Sequence, residues 1–384
     1  MKAAVLHQYD EMLSSNEFVQ YEDVPDPKIQ SPTDVIVRIG GAGVCRTDLH
    51  VVEGIWRHQV EVKLPYIMGH ENAGWIEAVG SAVTGVEVGD AVICHPLVTS
   101  GHCLACRRGI DTHAEESSFP GINADGVYAE YLLTGQRSLI KLPKSLAPKD
   151  VAPYADAGLT TYRAAKKASR HLLPGEYAVV IGAGGLGHIG IQVLAALCAA
   201  EIIVIDRTDA TLAKECGAHH TVKADGNEVE QMLERTKDKG AKAVIDFVGE
   251  GDAVSKGLAM TRNAGSYYIV GYGGKIEIPS IDMVTPVLRN IFNTTGTSEV
   301  KVGVASAVPA VLASPRRVQT SIQLDPGRFD HQSPSLGFRA RHLEELLRGA
   351  GHRIHADVGK ALLNGSSTKG LVEVAIEFRN HVGG

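Results

Sequence analysis

Hydrophobic and polar positions follow a two-residue period in the first part of the chain. Val35, Val37 and Ile39 alternate with other residues in DVIVRIG, as in a strand that is buried on one face. GWIEAVG and AVICHPL are short apolar runs bounded by Gly, Asp or Pro, and such runs also favour strands. The pattern therefore predicts a β-rich domain over residues 1–155.

The pattern changes after residue 151. DVAPYADAGLTTYRAAKKASRHL predicts a turn and then a helix that ends before Pro174. EYAVVIGAGGLGHIGIQVLAALCAAEIIVID indicates a strand, a glycine loop, an apolar helix and a second strand, and KAVIDFVG and SYYIVGYGG add further strands. Strands that alternate with helices are typical of a parallel sheet covered on both faces. We place this α/β domain at residues 156–295.

Two regions lack a clear period. Residues 100–125 are polar and irregular, which predicts a long surface excursion of the kind that usually carries a function. The C-terminal segment from about residue 300 is turn-rich, but RHLEELLRGAG predicts a short helix and GLVEVAIEF a final strand.

Length and composition narrow the class of protein. The 384 residues suggest two domains, at about 100–200 residues each. A net charge of −6 argues against nucleic acid as a partner. Six cysteines in so long a chain favour metal ligation over a disulfide framework. The N-terminus lacks the apolar stretch of a signal peptide, and polar residues interrupt the longest apolar region, 178–205, so we expect a cytoplasmic protein that does not bind membranes.

Glycine is in excess, with 42 residues, and one glycine loop has the spacing of a dinucleotide site. The loop follows the apolar strand AVVI, opens an apolar helix and contains Gly182, Gly184, Gly185, Leu186 and Gly187. Glycines allow the backbone to approach a pyrophosphate closely, and the N-terminus of the helix offers unpaired N–H groups to the phosphates. The loop therefore predicts a dinucleotide cofactor.

An acidic residue selects between the two nicotinamide cofactors. Asp206 ends the next strand, nineteen residues after Gly187, where a carboxylate binds a ribose 2′-hydroxyl, so NAD is favoured over NADP. The neighbouring Arg207 could instead pair with a 2′-phosphate. A glycine turn in a purely structural βαβ unit is the alternative interpretation.

Cysteine and histidine stand in two neighbouring motifs of the first domain. CRTDLH carries Cys45, Thr47, Asp48 and His50, and GHENAG follows with His70 and Glu71. A thiolate and an imidazole are suitable zinc ligands. Taken separately, the cysteine could be a buried core residue and the histidine a hydrogen-bonded loop residue.

Together these motifs resemble the zinc-dependent medium-chain alcohol dehydrogenase family, in its secondary and aryl alcohol dehydrogenase branch. The family signature GHExxGxxxxxGxxV fits residues 69–83, and CRTDLH, GAGGLG and ADAGLTTY stand in the family order. The resemblance runs from residue 1 to about residue 297. It implies an α/β protein with a GroES-like β-rich catalytic domain, 1–155 completed by 296–384, and a Rossmann doubly wound parallel sheet, 156–295.

The resemblance also implies a set of metal ligands. Cys45, His70 and Asp156 would bind one catalytic zinc, with Glu71 close to the metal or beside its ligands. Aspartate stands at 156 where many members have a second cysteine, and a carboxylate is a sound zinc ligand. Asp48 would orient His70, and its alternative role is that of a loop cap.

Proton transfer and cofactor contact are assigned by the same resemblance. Thr47 would take the proton of the alcohol hydroxyl and pass it through the cofactor ribose to His50, which would deliver it to water. Thr160 would lie beside the nicotinamide, or would only start a helix. Hydride would then move directly between the substrate carbon and NAD.

The chain departs from the family in two places. Many members hold a second, structural zinc with four cysteines, and the four positions here are Ser100, Cys103, Cys106 and Ala114. We therefore expect one catalytic zinc and no structural zinc. The alternatives for this lobe are a metal-free pair of thiols, a Cys103–Cys106 redox pair, or a metal site improvised from His102, His113 and Glu115.

Residues 300–368 also do not follow the family pattern, and three functional hypotheses result. The first is an NAD-dependent zinc alcohol dehydrogenase, an oxidoreductase that acts on a primary, secondary or aryl alcohol or on the matching aldehyde or ketone. The second is a polyol or amino-alcohol dehydrogenase of the same family. The third is a catalytically inactive dinucleotide-binding protein. The resemblance further implies a homodimer or homotetramer.

Overall fold

The structure is a computed structural model. It describes residues 1–15, 17–58, 60, 62–208 and 211–273, together with the strands at 290–293, 321–324, 337–339 and 374–378. The predicted helix at 341–351 lies outside the described residues, and so does most of the atypical C-terminal segment.

The alternating segments of residues 1–155 form strands, as predicted. The described strands of this region are β1 (Lys2–Leu6), β2 (Glu17–Asp23), β3 (Asp34–Val44), β4 (Tyr66–Ile67), β5 (Glu71–Val79), β6 (Ala91–Cys94), β7 (Val98–Thr99), β8 (Ser117–Ser118), β9 (Tyr131–Gly135) and β10 (Leu139–Lys141). Short helices separate some of them: α1 (Arg46–Val52), α2 (Leu104–Arg107) and α3 (Pro148–Val151). Four 3₁₀ turns are described as well, at Ile55–His58, Asp111–His113, Gln136–Ser138 and Ala152–Ala155.

The following region alternates between helices and strands. Its described helices are α4 (Ala157–Ser169), α5 (Gly185–Leu197), α6 (Thr211–Glu215), α7 (Glu228–Arg235) and α8 (Ala253–Met260). Its described strands are β11 (Tyr177–Ile181), β12 (Glu201–Asp206), β13 (His220–Lys223), β14 (Ala241–Asp246), β15 (Thr261–Ile269) and β16 (Asn290–Asn293). Three more strands follow towards the C-terminus: β17 (Ser321–Leu324), β18 (Gly337–Arg339) and β19 (Val374–Phe378).

The six strands of the second region form one parallel sheet in the described part of the chain, in the order β13-β12-β11-β14-β15-β16. The strand order reverses between β11, the first strand of this sheet along the chain, and its neighbour β14, the fourth, as in a doubly wound fold. The central strands are apolar throughout because both faces are covered, and Val179, Ile203 and Val244 have no exposed surface. The predicted α/β class is confirmed.

Strand β3 is the centre of the largest described sheet, which has the order β10-β6-β5-β3-β19-β17 with β9 also paired to β3. The alternating residues Val35, Val37 and Ile39 are buried in the hydrophobic core of this sheet. Within this sheet β3 and β5 pair antiparallel, with Gly43 opposite Glu71. The end of β3 before Cys45 and the start of β5 after His70 are therefore direct neighbours.

The chain divides into two compact units. One comprises Met1–Asp156 with Gln319–Gly384, and the other comprises Ala157–Val318. Within the described residues, no helix has both the length and the apolar character that a membrane crossing requires.

Candidate active site

The start of helix α1 fixes Cys45 and Asp48 relative to each other. Cys45 follows the last residue of β3 and caps the helix, and its Sγ accepts a hydrogen bond from the Thr47 amide at 3.3 Å. In return, the Cys45 amide donates to Asp48 Oδ2 at 2.9 Å. This reciprocal capping arrangement satisfies amides that the first turn of a helix otherwise leaves unpaired. The local sequence therefore holds a thiol and a carboxylate in fixed positions.

The pairing of β3 with β5 brings His70 next to this helix start. His70 immediately precedes β5, and its Nε2 lies 3.2 Å from Cys45 Sγ. Its other ring nitrogen, Nδ1, lies 3.3 Å from Asp48 Oδ1. Both nitrogens of a buried imidazole are thus engaged, one on the thiol side and one on the carboxylate side.

Asp156 approaches the same ring nitrogen as the thiol. It follows the 3₁₀ turn Ala152–Ala155, and its Oδ2 lies 3.7 Å from His70 Nε2. Zinc–ligand bonds of about 2.0–2.3 Å at tetrahedral angles place neighbouring ligand atoms roughly 3.5 Å apart. The thiol and the Asp156 carboxylate therefore each lie at about the distance from Nε2 that separates two ligands of one zinc ion.

Asp48 stands on the opposite side of the histidine. Its side chain is 3% exposed, whereas that of Asp156 is 21% exposed. A carboxylate that faces Nδ1 favours the tautomer in which Nδ1 carries the proton and Nε2 offers its lone pair. The sequence left open whether Asp48 orients the histidine or caps the helix, and the structure shows contacts of both kinds through its two oxygens.

Glu71 lies next to the same group of side chains and has no exposed surface. Its carboxylate occupies the space above Gly43, where a Cβ atom would come within 2.0 Å of Glu71 Oε2. The glycine on β3 therefore leaves room for a buried carboxylate. Two groups of possible metal ligands are found among the described residues: Cys45 with Asp48 and His70, and His70 with Glu71 and Asp156.

Tyr128 supports the site from a distant part of the sequence. Its hydroxyl lies 2.9 Å from Asp48 Oδ2 and 3.0 Å from the Gly43 carbonyl oxygen. Burial and the neighbouring Asp48 raise the pKa of Tyr128 well above its usual range, so the phenol stays protonated and acts as a donor. The ring also packs on Gly69, which has a φ of +89° and where a Cβ would lie 2.5 Å from Tyr128 Cδ1. No local sequence signal points to this tyrosine.

The protonation of the thiol bears on what the site can bind. Burial raises the pKa of Cys45 to about 11. Without a cation the thiol therefore stays protonated at neutral pH, and a bound divalent cation is what would favour the thiolate. A donor set of one thiol, one imidazole and carboxylates fits zinc in its chemistry.

The remaining predicted residues of the first motif lie on helix α1. Thr47 and His50 are both within Arg46–Val52, and His50 is buried. Thr160 lies in the other unit, where it is buried in α4. The structure thus places each of these residues on a helix, and their chemical roles stay predictions.

The predicted dinucleotide loop has the geometry that its glycines require. Gly182 has a φ of +88°, in the region that favours glycine. Gly184 caps helix α5, which begins at Gly185, and Leu186 lies in the first turn of this helix. A Cβ on Gly187 would lie 1.9 Å from the Gly182 carbonyl oxygen, so the start of the helix packs directly on the turn.

Asp206 holds this loop from the end of the neighbouring strand. Its Oδ2 accepts a hydrogen bond from the Ala183 amide at 2.6 Å, and its Oδ1 accepts from the Thr208 amide at 2.8 Å. The carboxylate is half-buried at the carboxyl edge of the sheet, and the adjacent Arg207 is exposed. These backbone contacts of the acidic residue were not predicted from the sequence.

Comparison with known proteins places the chain in a family. Residues 31–144 match the alcohol dehydrogenase GroES-like domain and residues 185–305 match the zinc-binding dehydrogenase domain. The chain is 36% identical to an alcohol dehydrogenase of Geobacillus stearothermophilus over 301 residues, 77% of this chain and 86% of that protein. It is 34% identical to an NAD-dependent alcohol dehydrogenase of Sulfurisphaera tokodaii, covering 79% of this chain and 89% of that protein.

A solved structure agrees with these relatives. The crystal structure of the alcohol dehydrogenase from Aeropyrum pernix is 38% identical, with a TM-score of 0.82 over 98% of this chain and all of that chain. The chain therefore belongs to the zinc-dependent medium-chain alcohol dehydrogenase family and is an alcohol oxidoreductase. The predicted family, the GroES-like and Rossmann-like fold and the oxidoreductase class are confirmed.

Proposed function

We propose that this protein is an NAD-dependent zinc alcohol dehydrogenase, which oxidises primary, secondary or aryl alcohols and reduces the matching aldehydes and ketones. The convergence of Cys45 and Asp156 on one nitrogen of His70 carries the proposal, with distances of 3.2 Å and 3.7 Å to Nε2. Catalytic zinc sites use three protein ligands and keep the fourth position for water or substrate. This donor set matches that pattern.

Zinc held by Cys45, His70 and Asp156 would supply a Lewis acid that lowers the pKa of an alcohol hydroxyl or polarises a carbonyl. Asp48 lies 3.3 Å from Nδ1 and would position the imidazole, and the Tyr128 hydroxyl donates to Asp48 in turn. Glu71 lies within the second group of candidate ligands and adds negative charge beside the metal position.

Proton removal is assigned to helix α1. Thr47 and His50 lie two and five residues after Cys45 on this helix, so both follow the thiol in a rigid element. The Thr47 hydroxyl would accept the proton of the alcohol, and His50 would deliver a proton to water. Imidazole suits the last step because it exchanges protons with water near neutral pH.

NAD is the proposed hydride acceptor. The glycine loop from Gly182 to Gly187 would bind the pyrophosphate at the start of α5, and the Asp206 carboxylate, which accepts from the Ala183 amide of this loop, would bind the ribose hydroxyls. A carboxylate at this position repels a 2′-phosphate, and the exposed Arg207 is the group that would oppose this selection. Thr160 is proposed to contact the nicotinamide. The NAD-dependent alcohol dehydrogenase of Sulfurisphaera tokodaii supports the choice of cofactor.

The test is a coupled assay of turnover and metal content. Purified protein with NAD and a panel of primary, secondary, benzylic, polyol and amino alcohols is followed at the NADH absorbance, before and after removal of zinc by a chelator. We expect turnover of a simple or benzylic alcohol, its loss on chelation and its recovery with zinc. Preference for a polyol or amino alcohol would replace the substrate class, and preference for NADP would overturn the cofactor assignment.

An absence of turnover with zinc and NAD both bound would overturn the enzymatic proposal and leave a dinucleotide-binding protein. The Cys45→Ser variant is the matched control, because it removes one proposed ligand and leaves the glycine loop intact. It should bind NAD as the parent protein does and lose zinc-dependent turnover. The cytoplasmic location and the dimeric or tetrameric assembly stay predictions, to be checked by cell fractionation and light scattering.

A further inference from the structure

Two thiols lie together in the polar excursion, outside the candidate active site. Cys103 and Cys106 flank the short helix α2, and their sulfur atoms are 3.3 Å apart. Both cysteines are free thiols. A disulfide between neighbouring residues needs the sulfur atoms to approach to about 2.05 Å. Only a small side-chain movement separates this pair from that bond.

The two thiols differ in accessibility and environment. Cys103 is partly exposed, whereas Cys106 is 5% exposed. The Cys106 amide lies 3.5 Å from Cys103 Sγ. This backbone hydrogen bond lowers the pKa of Cys103, while burial raises the pKa of Cys106. An accessible thiol with more thiolate character beside a buried one is the arrangement of an attacking and a resolving cysteine.

The surroundings hold the pair in place by other means. Arg137 Nη2 contacts Asp111 Oδ1 at 2.6 Å, and the Thr99 hydroxyl donates to the same oxygen at 2.9 Å. Thr99 and Asp111 also interact with the Cys106 side chain. Within the described residues, no histidine, carboxylate or third cysteine joins the two thiols in a group of possible metal ligands. The geometry thus favours thiol chemistry over metal binding here.

We propose that Cys103 and Cys106 form a redox-active dithiol, which hydrogen peroxide converts into an intramolecular disulfide. The Cys103 thiolate attacks one oxygen of the peroxide, so that an S–O bond forms, the O–O bond breaks, and hydroxide leaves and takes up the proton lost by the Cys103 thiol. Cys106 then attacks the sulfenic sulfur, the S–S bond forms, and the S–O bond breaks with release of a second hydroxide, which the Cys106 proton converts to water. Two thiols are oxidised to one disulfide, and one molecule of hydrogen peroxide is reduced to two waters.

The test uses the full-length, zinc-loaded protein without alcohol or NAD, so its result is independent of the proposed dehydrogenase activity. One equivalent of hydrogen peroxide is added, the reaction is stopped with catalase, and free thiols are alkylated before peptide mass spectrometry. We expect the peptide with both cysteines to lose two hydrogen atoms, to carry no alkyl group and to recover both thiols in dithiothreitol. Cys198, a lone and partly exposed cysteine, should react at least about tenfold more slowly.

Variants separate the two roles. In Cys106→Ser, oxidation should stop at a sulfenic acid on Cys103 that dimedone traps, and in Cys103→Ser the buried thiol should stay reduced. Cys198→Ser is the matched control and should form the disulfide at the parental rate. Circular dichroism checks that each variant is folded. A pair that stays reduced in the folded parent protein would overturn the proposal, and so would a metal ion that is present in the parent and absent from both variants at 103 and 106.

Discussion

Replacement of Asp48 by asparagine tests the role of a single carboxylate in the proposed zinc centre. The carboxylate faces three groups: Oδ2 accepts hydrogen bonds from the Cys45 amide and the Tyr128 hydroxyl, each at 2.9 Å, and Oδ1 lies 3.3 Å from His70 Nδ1. An amide keeps only one accepting oxygen. Asp48→Asn therefore cannot satisfy all three donors in either orientation of the side chain.

Each orientation carries its own cost. If the amide oxygen replaces Oδ2, the NH₂ group faces His70 Nδ1 and favours the tautomer with the proton on Nε2, which has no lone pair for zinc. If the oxygen faces the histidine, the Cys45 amide loses its acceptor, at a cost of about 1–3 kcal/mol for a buried unpaired donor. Loss of a carboxylate that orients a zinc-binding histidine typically weakens metal binding by about 10–100-fold. We expect a decrease in zinc affinity of that size.

Zinc affinity is measured by competition with a chromophoric chelator, with circular dichroism to confirm folding. Asp34→Asn is the matched control, since Asp34 accepts from the amides of Gln30 and Ser31 at 2.9 Å and 2.7 Å and contacts no histidine. It should lower stability without changing zinc affinity. Parental zinc affinity in folded Asp48→Asn would refute the reasoning, and a loss far beyond 100-fold would make Asp48 a ligand instead.

Three further changes have defined outcomes. Gly187→Ala should raise the KM for NAD at least about tenfold at unchanged zinc content, because the added Cβ would lie 1.9 Å from the Gly182 carbonyl oxygen. An unchanged KM would mean that the loop adjusts freely. Tyr128→Phe should lower the free energy of unfolding by about 1 kcal/mol and zinc affinity severalfold, measured by denaturant titration and chelator competition, since Asp48 loses one donor at 2.9 Å. Burial lowers the pKa of His95 to about 4, below its value of about 6.5 in the unfolded chain. As the pH decreases, the unfolded chain therefore takes up this proton before the folded protein does. The free energy of unfolding should thus fall between about pH 6.5 and about pH 4. The loss in the free energy of unfolding is on the order of 3 kcal/mol, and His95→Leu should remove this part of its pH dependence. An equal pH dependence in the parent protein and the variant would contradict the attribution to His95.

The sequence predicted those parts of the structure that depend on local pattern. The two-residue period of Val35, Val37 and Ile39 marks β3 because alternate side chains of a strand face the core. The spacing of the glycine loop predicts its position between β11 and α5, because only glycine tolerates the backbone approach at Gly187. Motif spacing also identified Cys45 as a candidate ligand, and its neighbours in space follow from the strand pairing.

Contacts between distant segments could not be predicted in the same way. Tyr128 meets Asp48 only because strand pairing and the packing on Gly69 bring their two segments of the chain together. The sequence around Tyr128 and the sequence around Asp48 show no period or motif that predicts this contact. The second contact of Asp48, with the Cys45 amide, depends on where β3 ends and α1 begins. The separation of the Cys103 and Cys106 sulfur atoms likewise depends on the conformation of α2, which a CxxC spacing alone does not determine.

The hypothesis of an inactive protein depends on the C-terminal segment, and the backbone pairing of that segment bears on it directly. Val374 and Ala375 of β19 pair with Val44 and Gly43, the last residues of β3 before the proposed ligand Cys45. Gly43 pairs on its other edge with Glu71. The backbone that presents the ligand is therefore hydrogen-bonded on both edges, and a strand paired on both edges opens less readily than an edge strand. Among the described residues, both groups of candidate metal ligands lie between Cys45 and Asp156. The proposed zinc centre is therefore built from residues that precede the atypical segment, and it favours the hypothesis of an active enzyme.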